Sequence, residues 1–222
     1  TLVSGIAVYE ACCTDWTRFV RRGELAWVFV IATRLDQALD IGRNMIYAHI
    51  DRSPYLRDLI IDDPSMLDMQ ALPSTRTGVR VLRTGAAITA LPCSSRVGRG
   101  YPICVAIFDE MAWFNRESKA DNTDQGIYDA ILPRTVQFGD HGRIHIISTP
   151  ADKSGVVYDR WSNRQKKKHL YFCVRVPTEK MRTDLKKKDF KEMRERSPLG
   201  YEREFGAMCM TTMTPLIQRE DA

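Results

Sequence analysis

Ile103-Cys104-Val105-Ala106-Ile107-Phe108-Asp109-Glu110 is an unbroken apolar run that ends in two adjacent carboxylates. Continuous apolar and β-branched residues without alternation predict a strand buried on both faces. Two more runs have this character. Trp27-Val28-Phe29-Val30-Ile31-Ala32 ends at Thr33-Arg34, and Arg143-Ile144-His145-Ile146-Ile147 ends at Ser148-Thr149-Pro150. In an open parallel sheet, ligands bind beyond the carboxyl ends of the strands. Three polar strand ends therefore predict one shared site if the strands are neighbours.

Between the strands the spacing is helical. Residues 2–20 predict a helix with Leu2, Ile6, Tyr9 and Cys13 on one face, and Leu35 to Ile50 predicts a second. Breaks fall at Ser53-Pro54 and Asp63-Pro64. Gly78 to Leu91 predicts two strands meeting at Thr84-Gly85. Asp121 to Leu132 predicts a helix that stops before Pro133. Beyond residue 150 the expectation is a helix near 153–165, a strand at 169–176 and charged helices near 184–207. The fold class read from this pattern is α/β: a mainly parallel sheet flanked by helices, with a small C-terminal α/β extension. Residues 1–150 form the core of this reading and 151–222 the extension.

Composition narrows the function. The chain has 222 residues, 44% apolar and 27% charged, which suits a globular protein. No apolar run approaches a membrane span, and no secretory leader is recognised. Six cysteines without a CxxC pair read as reduced thiols in a cytosolic setting, and no zinc site is expected at His141 and His145 on a strand. Residues 151–222 hold 17 Lys and Arg against 11 Asp and Glu, leaving 16 basic and 17 acidic residues for 1–150. The basic excess, with Lys166-Lys167-Lys168 and Lys186-Lys187-Lys188, points either to a polyanion such as DNA or to a solvated helix face.

Phosphoryl transfer needs a metal at the phosphates, an oriented water and positive charge at the transition state. Asp109 suits the metal and Glu110 the water, as in a Walker B strand. Ser148 and Thr149 are placed to sense a γ-phosphate. Arg96 and Arg99, just before the strand, are candidates for the positive charge. A GxxxxGK[ST] phosphate loop is absent. Thr1, a hydroxyl residue directly on a helix, is what would follow the lysine of such a loop, and the chain is read as cut inside it.

These segments together resemble the large terminase subunit, the ATPase that packs DNA into viral capsids. Leu91 to Phe114 is similar to its loop with Arg-Gly-Tyr followed by Walker B. Arg143 to Pro150 is similar to its coupling motif, and Trp27 to Arg34 to its second strand with a helicase-like Thr-Arg end. Tyr201-Glu202-Arg203-Glu204-Phe205 looks like the segment closing the ATPase region. The resemblance implies a P-loop NTPase fold of the RecA/ASCE type. It also implies ATP hydrolysis driving translocation of double-stranded DNA into a procapsid, with Mg²⁺ as cofactor. Asp109 and Thr1 would serve nucleotide and Mg²⁺, Glu110 hydrolysis, and Arg99 the nucleotide of a neighbouring subunit. Ser148 and Thr149 would couple hydrolysis to DNA movement. Thr33 and Arg34 form a further motif, and the two lysine triplets are candidate DNA contacts. Implied partners are DNA, the portal protein, the small terminase subunit and further copies in a homo-oligomeric ring, with no membrane. The implied location is the host cytoplasm and, transiently, the procapsid. Pro215-Leu216-Ile217 looks like the approach to a nuclease domain, and the fragment itself is expected to be inactive. The alternatives are a helicase-like P-loop ATPase and a non-catalytic nucleic-acid-binding module.

Overall fold

β1 (Ala26–Ala32), β2 (Val79–Val81), β3 (Ala86–Pro92), β4 (Ile103–Asp109) and β5 (Arg143–Ile147) form one sheet in the order β2-β3-β1-β4-β5. The computed structural model describes residues 2–61, 79–94, 98, 100–114, 123–185 and 187–210. The chain divides into two compact units, Thr1–Ile147 and Ser148–Ala222. In the first, β3, β1, β4 and β5 run parallel and β2 is antiparallel to β3. Every residue of β1 is buried, as is β4 up to Phe108. This is the two-sided burial that the unalternated apolar runs predict for β1 and β4, whereas in β5 Arg143 is exposed and Ile144 to Ile147 are only half-buried.

The predicted hairpin is present, with Thr84-Gly85 at its turn. Gly85 has φ +79°, and a Cβ there would lie 2.9 Å from the Thr17 backbone nitrogen, so both backbone and space require glycine. The turn is tied to its surroundings. The Thr84 hydroxyl donates to the Ala11 carbonyl at 2.8 Å, and the Trp16 amide donates to the Thr84 carbonyl at 2.8 Å.

The first helix corrects two expectations. α1 spans Leu2–Cys12, and Asp15 then caps a separate 3₁₀ turn, Trp16–Arg18. The inner face is Val3, Ser4, Ala7, Val8, Glu10 and Ala11, while Leu2 and Tyr9 of the expected face are 65% and 60% exposed. Small residues win here because they let the helix approach the sheet closely, whereas α1 is apolar nearly all round and offers no clear stripe. The second predicted helix exists as α2 (Leu35–Leu39), a π-helical segment (Asp40–Ile46) and α3 (Tyr47–Arg52). Ser53 and Pro54 then start α4 (Pro54–Arg57), with the Leu56 amide donating to Ser53 Oγ.

α5 runs Asp124–Val136, straight through Pro133. A proline there forfeits one i→i−4 bond near the helix end, while buried Ile131 and Thr135 on either side keep the last turn packed. Asp63-Pro64 and the start of the predicted helix at Asp121 lie outside the described residues.

The second unit contains α6 (Gly155–Asn163), α7 (Thr178–Met181), α8 (Lys191–Arg196) and α9 (Pro198–Glu204). Its core stacks Phe190, Tyr201 and Phe205, and the Tyr201 hydroxyl donates to Glu179 Oε1 at 2.7 Å. The strand expected at 169–176 is not formed, so among the described residues this unit is helical, with only an isolated bridge between Asp152 and Met210. The alternation there is real but serves another purpose. Tyr171 lies under Arg160, Cys173 Sγ donates to the Arg160 carbonyl, and Arg175 reaches Trp161. Leu170, Phe172, Val174 and Val176 are exposed.

Candidate functional site

The carboxyl ends of β1, β3 and β4 meet along one edge of the sheet. Ile31 of β1 stands beside Phe108 of β4, which brings Thr33 level with the carboxylate pair, and Ala32 stands beside Pro92. The Cys93 amide donates to the Ala32 carbonyl at 2.7 Å, and the Cys93 thiol to the Thr33 carbonyl at 3.2 Å. On the other side, Asp109 is in register with Ile147, and the Glu110 amide donates to the Ile147 carbonyl at 2.8 Å.

A chain of hydrogen bonds crosses this edge. The Thr33 hydroxyl and amide donate to Gln37 Oε1 at 2.5 and 3.2 Å, and Gln37 Nε2 donates to Asp109 Oδ2 at 2.7 Å. Asp109 is half-buried. Burial and then the neighbouring Glu110 charge push its carboxyl above the ordinary range, while the Gln37 hydrogen bond opposes them. Among the described residues Asp109 Oδ1 accepts no hydrogen bond. A hard carboxylate oxygen left open on a half-buried group fits Mg²⁺, which binds proteins through one or two carboxylates and takes its remaining ligands from phosphates and water.

Glu110 is left-handed, with φ 57° and ψ 40°. That conformation strains a residue with a side chain and is a mark of functional positions. Three of the next four residues are packed inward while Trp113 is exposed. Met111 and Ala112, in the 3₁₀ turn Met111–Trp113, are buried, and Phe114 packs edge-on against Phe108 with ring centroids 6.1 Å apart. The strand therefore ends in a sharp reversal with both carboxylates half-buried.

The other candidate residues fall into four groups. Arg34, exposed, pairs with Asp36 at 3.4 Å and does not join Thr33 in the network. Ser148 and Thr149 come directly after β5 in the chain and open the second unit, where Ser148 Oγ donates to the Thr149 carbonyl at 2.7 Å. Lys166, Lys167, Lys168 and Lys188 are exposed in that unit. Thr1, Arg96, Arg99 and Lys186, the side chain of Lys187 and Pro215-Leu216-Ile217 lie outside the described residues. Tyr101, two residues after Arg99, packs edge-on against Trp27 and Phe29 at 5.2 and 5.8 Å between centroids.

Two residues escaped the sequence reading. Gln37 had a local signal, one helical turn beyond a strand-ending threonine. Glu10 had one too, as the lone acid of an apolar helix. It is 3% exposed and accepts from Arg143 Nη1 at 2.8 Å, with His145 Nε2 at 3.0 Å. His145 thus faces α1, while His141 stacks on Phe19. Among the described residues no cluster of three or more His, Cys, Asp or Glu could hold a metal, and no helix is long and apolar enough to cross a membrane.

Among solved structures, the chain is similar to the large terminase of bacteriophage HK97, at 16% identity and a TM-score of 0.59, over 91% of this chain and 41% of that one. It is also similar to a mutant of the large terminase ATPase domain of Thermus phage P74-26, at 16% identity and a TM-score of 0.55, over 93% of this chain and 82% of that one. No family model and no curated protein matches the sequence. The chain thus spans less than half the length of the HK97 protein. The likeness establishes the fold: a mainly parallel sheet flanked by helices, shared with these two terminases.

Proposed function

We propose that this chain is the ATPase region of a large terminase subunit, which hydrolyses ATP to drive double-stranded viral DNA into a procapsid. The observation that carries the reading is the Asp109-Glu110 pair. It ends a buried parallel strand, with the first carboxylate held by Gln37 and the second set in a left-handed turn. The fold shared with two large terminases supports it.

In this reading Asp109, with Thr1, holds Mg²⁺, which supplies positive charge against the nucleotide phosphates. Glu110 orients the attacking water and takes its proton. Arg99 places charge on the nucleotide of a neighbouring subunit in a ring. Ser148 and Thr149 pass the loss of the γ-phosphate to movement of DNA. The exposed lysines of the second unit, Lys166 to Lys168 and Lys188, neutralise phosphates of the duplex. Partners are the portal protein, the small terminase subunit and DNA, and the site of action is the procapsid in the host cytoplasm.

The test is packaging by the intact protein with procapsids, ATP and linear duplex DNA, read as nuclease-protected DNA. Wild type protects the DNA, and Arg99→Ala in every subunit abolishes protection. Failure of wild type to protect DNA with its partners present would overturn the packaging role.

A further inference from the structure

We infer that Gln37 is a positioning residue for Asp109, selecting the carboxylate oxygen that is left for the metal–nucleotide complex. The inference rests on the reading of Asp109 as the metal-holding carboxylate.

The direction of the amide is fixed by its partners. Gln37 Oε1 receives two donors from Thr33, the hydroxyl at 2.5 Å and the backbone amide at 3.2 Å. Reversing the side-chain amide would set an NH₂ against the Thr33 backbone amide, which can only donate, and its oxygen against the Asp109 carboxylate, so the oxygen faces Thr33. The nitrogen must then face Asp109, and it donates to Oδ2 at 2.7 Å. Toward Asp109, Gln37 is therefore a donor only, from a fixed direction, to one of two otherwise equivalent oxygens. Oδ1 is left for another ligand.

The placement is rigid. Gln37 sits in the first turn of α2, and its neighbour Ala38 is fully buried. Thr33 is fixed from the other side, because its carbonyl accepts from the Cys93 thiol and the preceding Ala32 carbonyl accepts from the Cys93 amide. Three parallel strands thus converge on the orientation of one carboxylate: β3 through Cys93, β1 through Thr33, and β4 through Asp109. Groups that orient a metal-holding carboxylate by hydrogen bonding lower metal affinity or activity about ten- to hundredfold when removed.

The experiment uses the intact protein. Mn²⁺ binding with a non-hydrolysable ATP analogue is measured by electron paramagnetic resonance for wild type, Gln37→Leu, Gln37→Glu, Thr33→Val and the Gln37→Leu/Thr33→Val double variant. Steady-state hydrolysis is followed alongside. Gln37→Leu is expected to weaken Mn²⁺ binding about tenfold or more. Gln37→Glu keeps the acceptor for Thr33 but sets a carboxylate against Asp109, and is expected to weaken it further. Thr33→Val removes the hydroxyl donor but keeps the backbone one, so it is expected to weaken Mn²⁺ binding less than Gln37→Leu, and the double variant should add little to Gln37→Leu, because the two act as one unit. Thermal midpoints of the variants report folding separately. Wild-type Mn²⁺ binding in folded Gln37→Leu and Gln37→Glu variants would overturn the inference and leave the ATPase reading standing. Absence of Mn²⁺–nucleotide binding in wild type would overturn both.

Discussion

Replacing Glu10 tests how the fold closes on itself. Glu10 lies on α1, and its partners Arg143 and His145 lie on β5, 133 and 135 residues further along. The Glu10 side chain is 4% exposed, while those of Arg143 and His145 are 48% and 30% exposed. Burial alone would raise its carboxyl, but the His145 hydrogen bond and the Arg143 and His145 charges outweigh this and hold it below the ordinary range. Removing one partner of a fully buried pair costs about 3–5 kcal/mol. Both partners here reach water and recover hydration, so Glu10→Gln is expected to cost less, about 1–2 kcal/mol. For a domain of this size that lowers Tm by roughly 2–8 °C. Because the folded value is depressed, the stabilisation is present above the unfolded carboxyl value near 4.5 and is lost as pH falls through the folded one. Urea unfolding at pH 7 and at pH 3 measures both effects. The gap between wild type and Glu10→Gln should be clear at pH 7 and narrow at pH 3. Equal stability at pH 7, or a gap that does not change with pH, would refute the reasoning.

Glu110→Gly should relieve the left-handed backbone and raise stability by about 1 kcal/mol, while removing hydrolysis from the intact protein; urea midpoints and turnover read the two effects. Replacing Lys166, Lys167 and Lys168 with Gln should lower the salt slope of duplex DNA binding by about 2.7 if all three reach phosphates, and fluorescence anisotropy across a salt series measures it. Alkylation at neutral pH should reach exposed Cys13 first. Burial pushes the Cys12 thiol up to about 11 and raises buried Cys104 as well, so mass spectrometry should find Cys104 unmodified until the chain unfolds.

The sheet was legible because its central strands, β1 and β4, are buried on both faces. β1 and β4 carry no charged residue before their ends, and such runs have few other folds open to them. The Thr84-Gly85 turn was legible because the chain needs a positive φ there. Helix faces were harder. α1 is apolar or small at most positions, so its inner face was set by how closely Ser4, Ala7 and Ala11 let it approach the sheet. The run 169–176 alternates like a strand, yet Tyr171 packs on Arg160 and Arg175 on Trp161, and among the described residues no strand pairs with it. Pro133 signals a stop that tertiary packing of Ile131 and Thr135 overrides. At the site, the carboxylates and Thr33 were readable from strand ends. The Gln37–Asp109 contact was not, because it depends on β1 and β4 lying side by side, nor was the Glu110 conformation, which depends on how the turn after β4 packs.

The most direct test of the account is hydrolysis of ATP by the intact protein, compared between wild type and Glu110→Gln, with nucleotide binding measured in parallel. The account predicts that wild type turns over ATP and that Glu110→Gln binds ATP with near wild-type affinity and does not hydrolyse it. Retained turnover in Glu110→Gln, or no turnover in wild type, would contradict it.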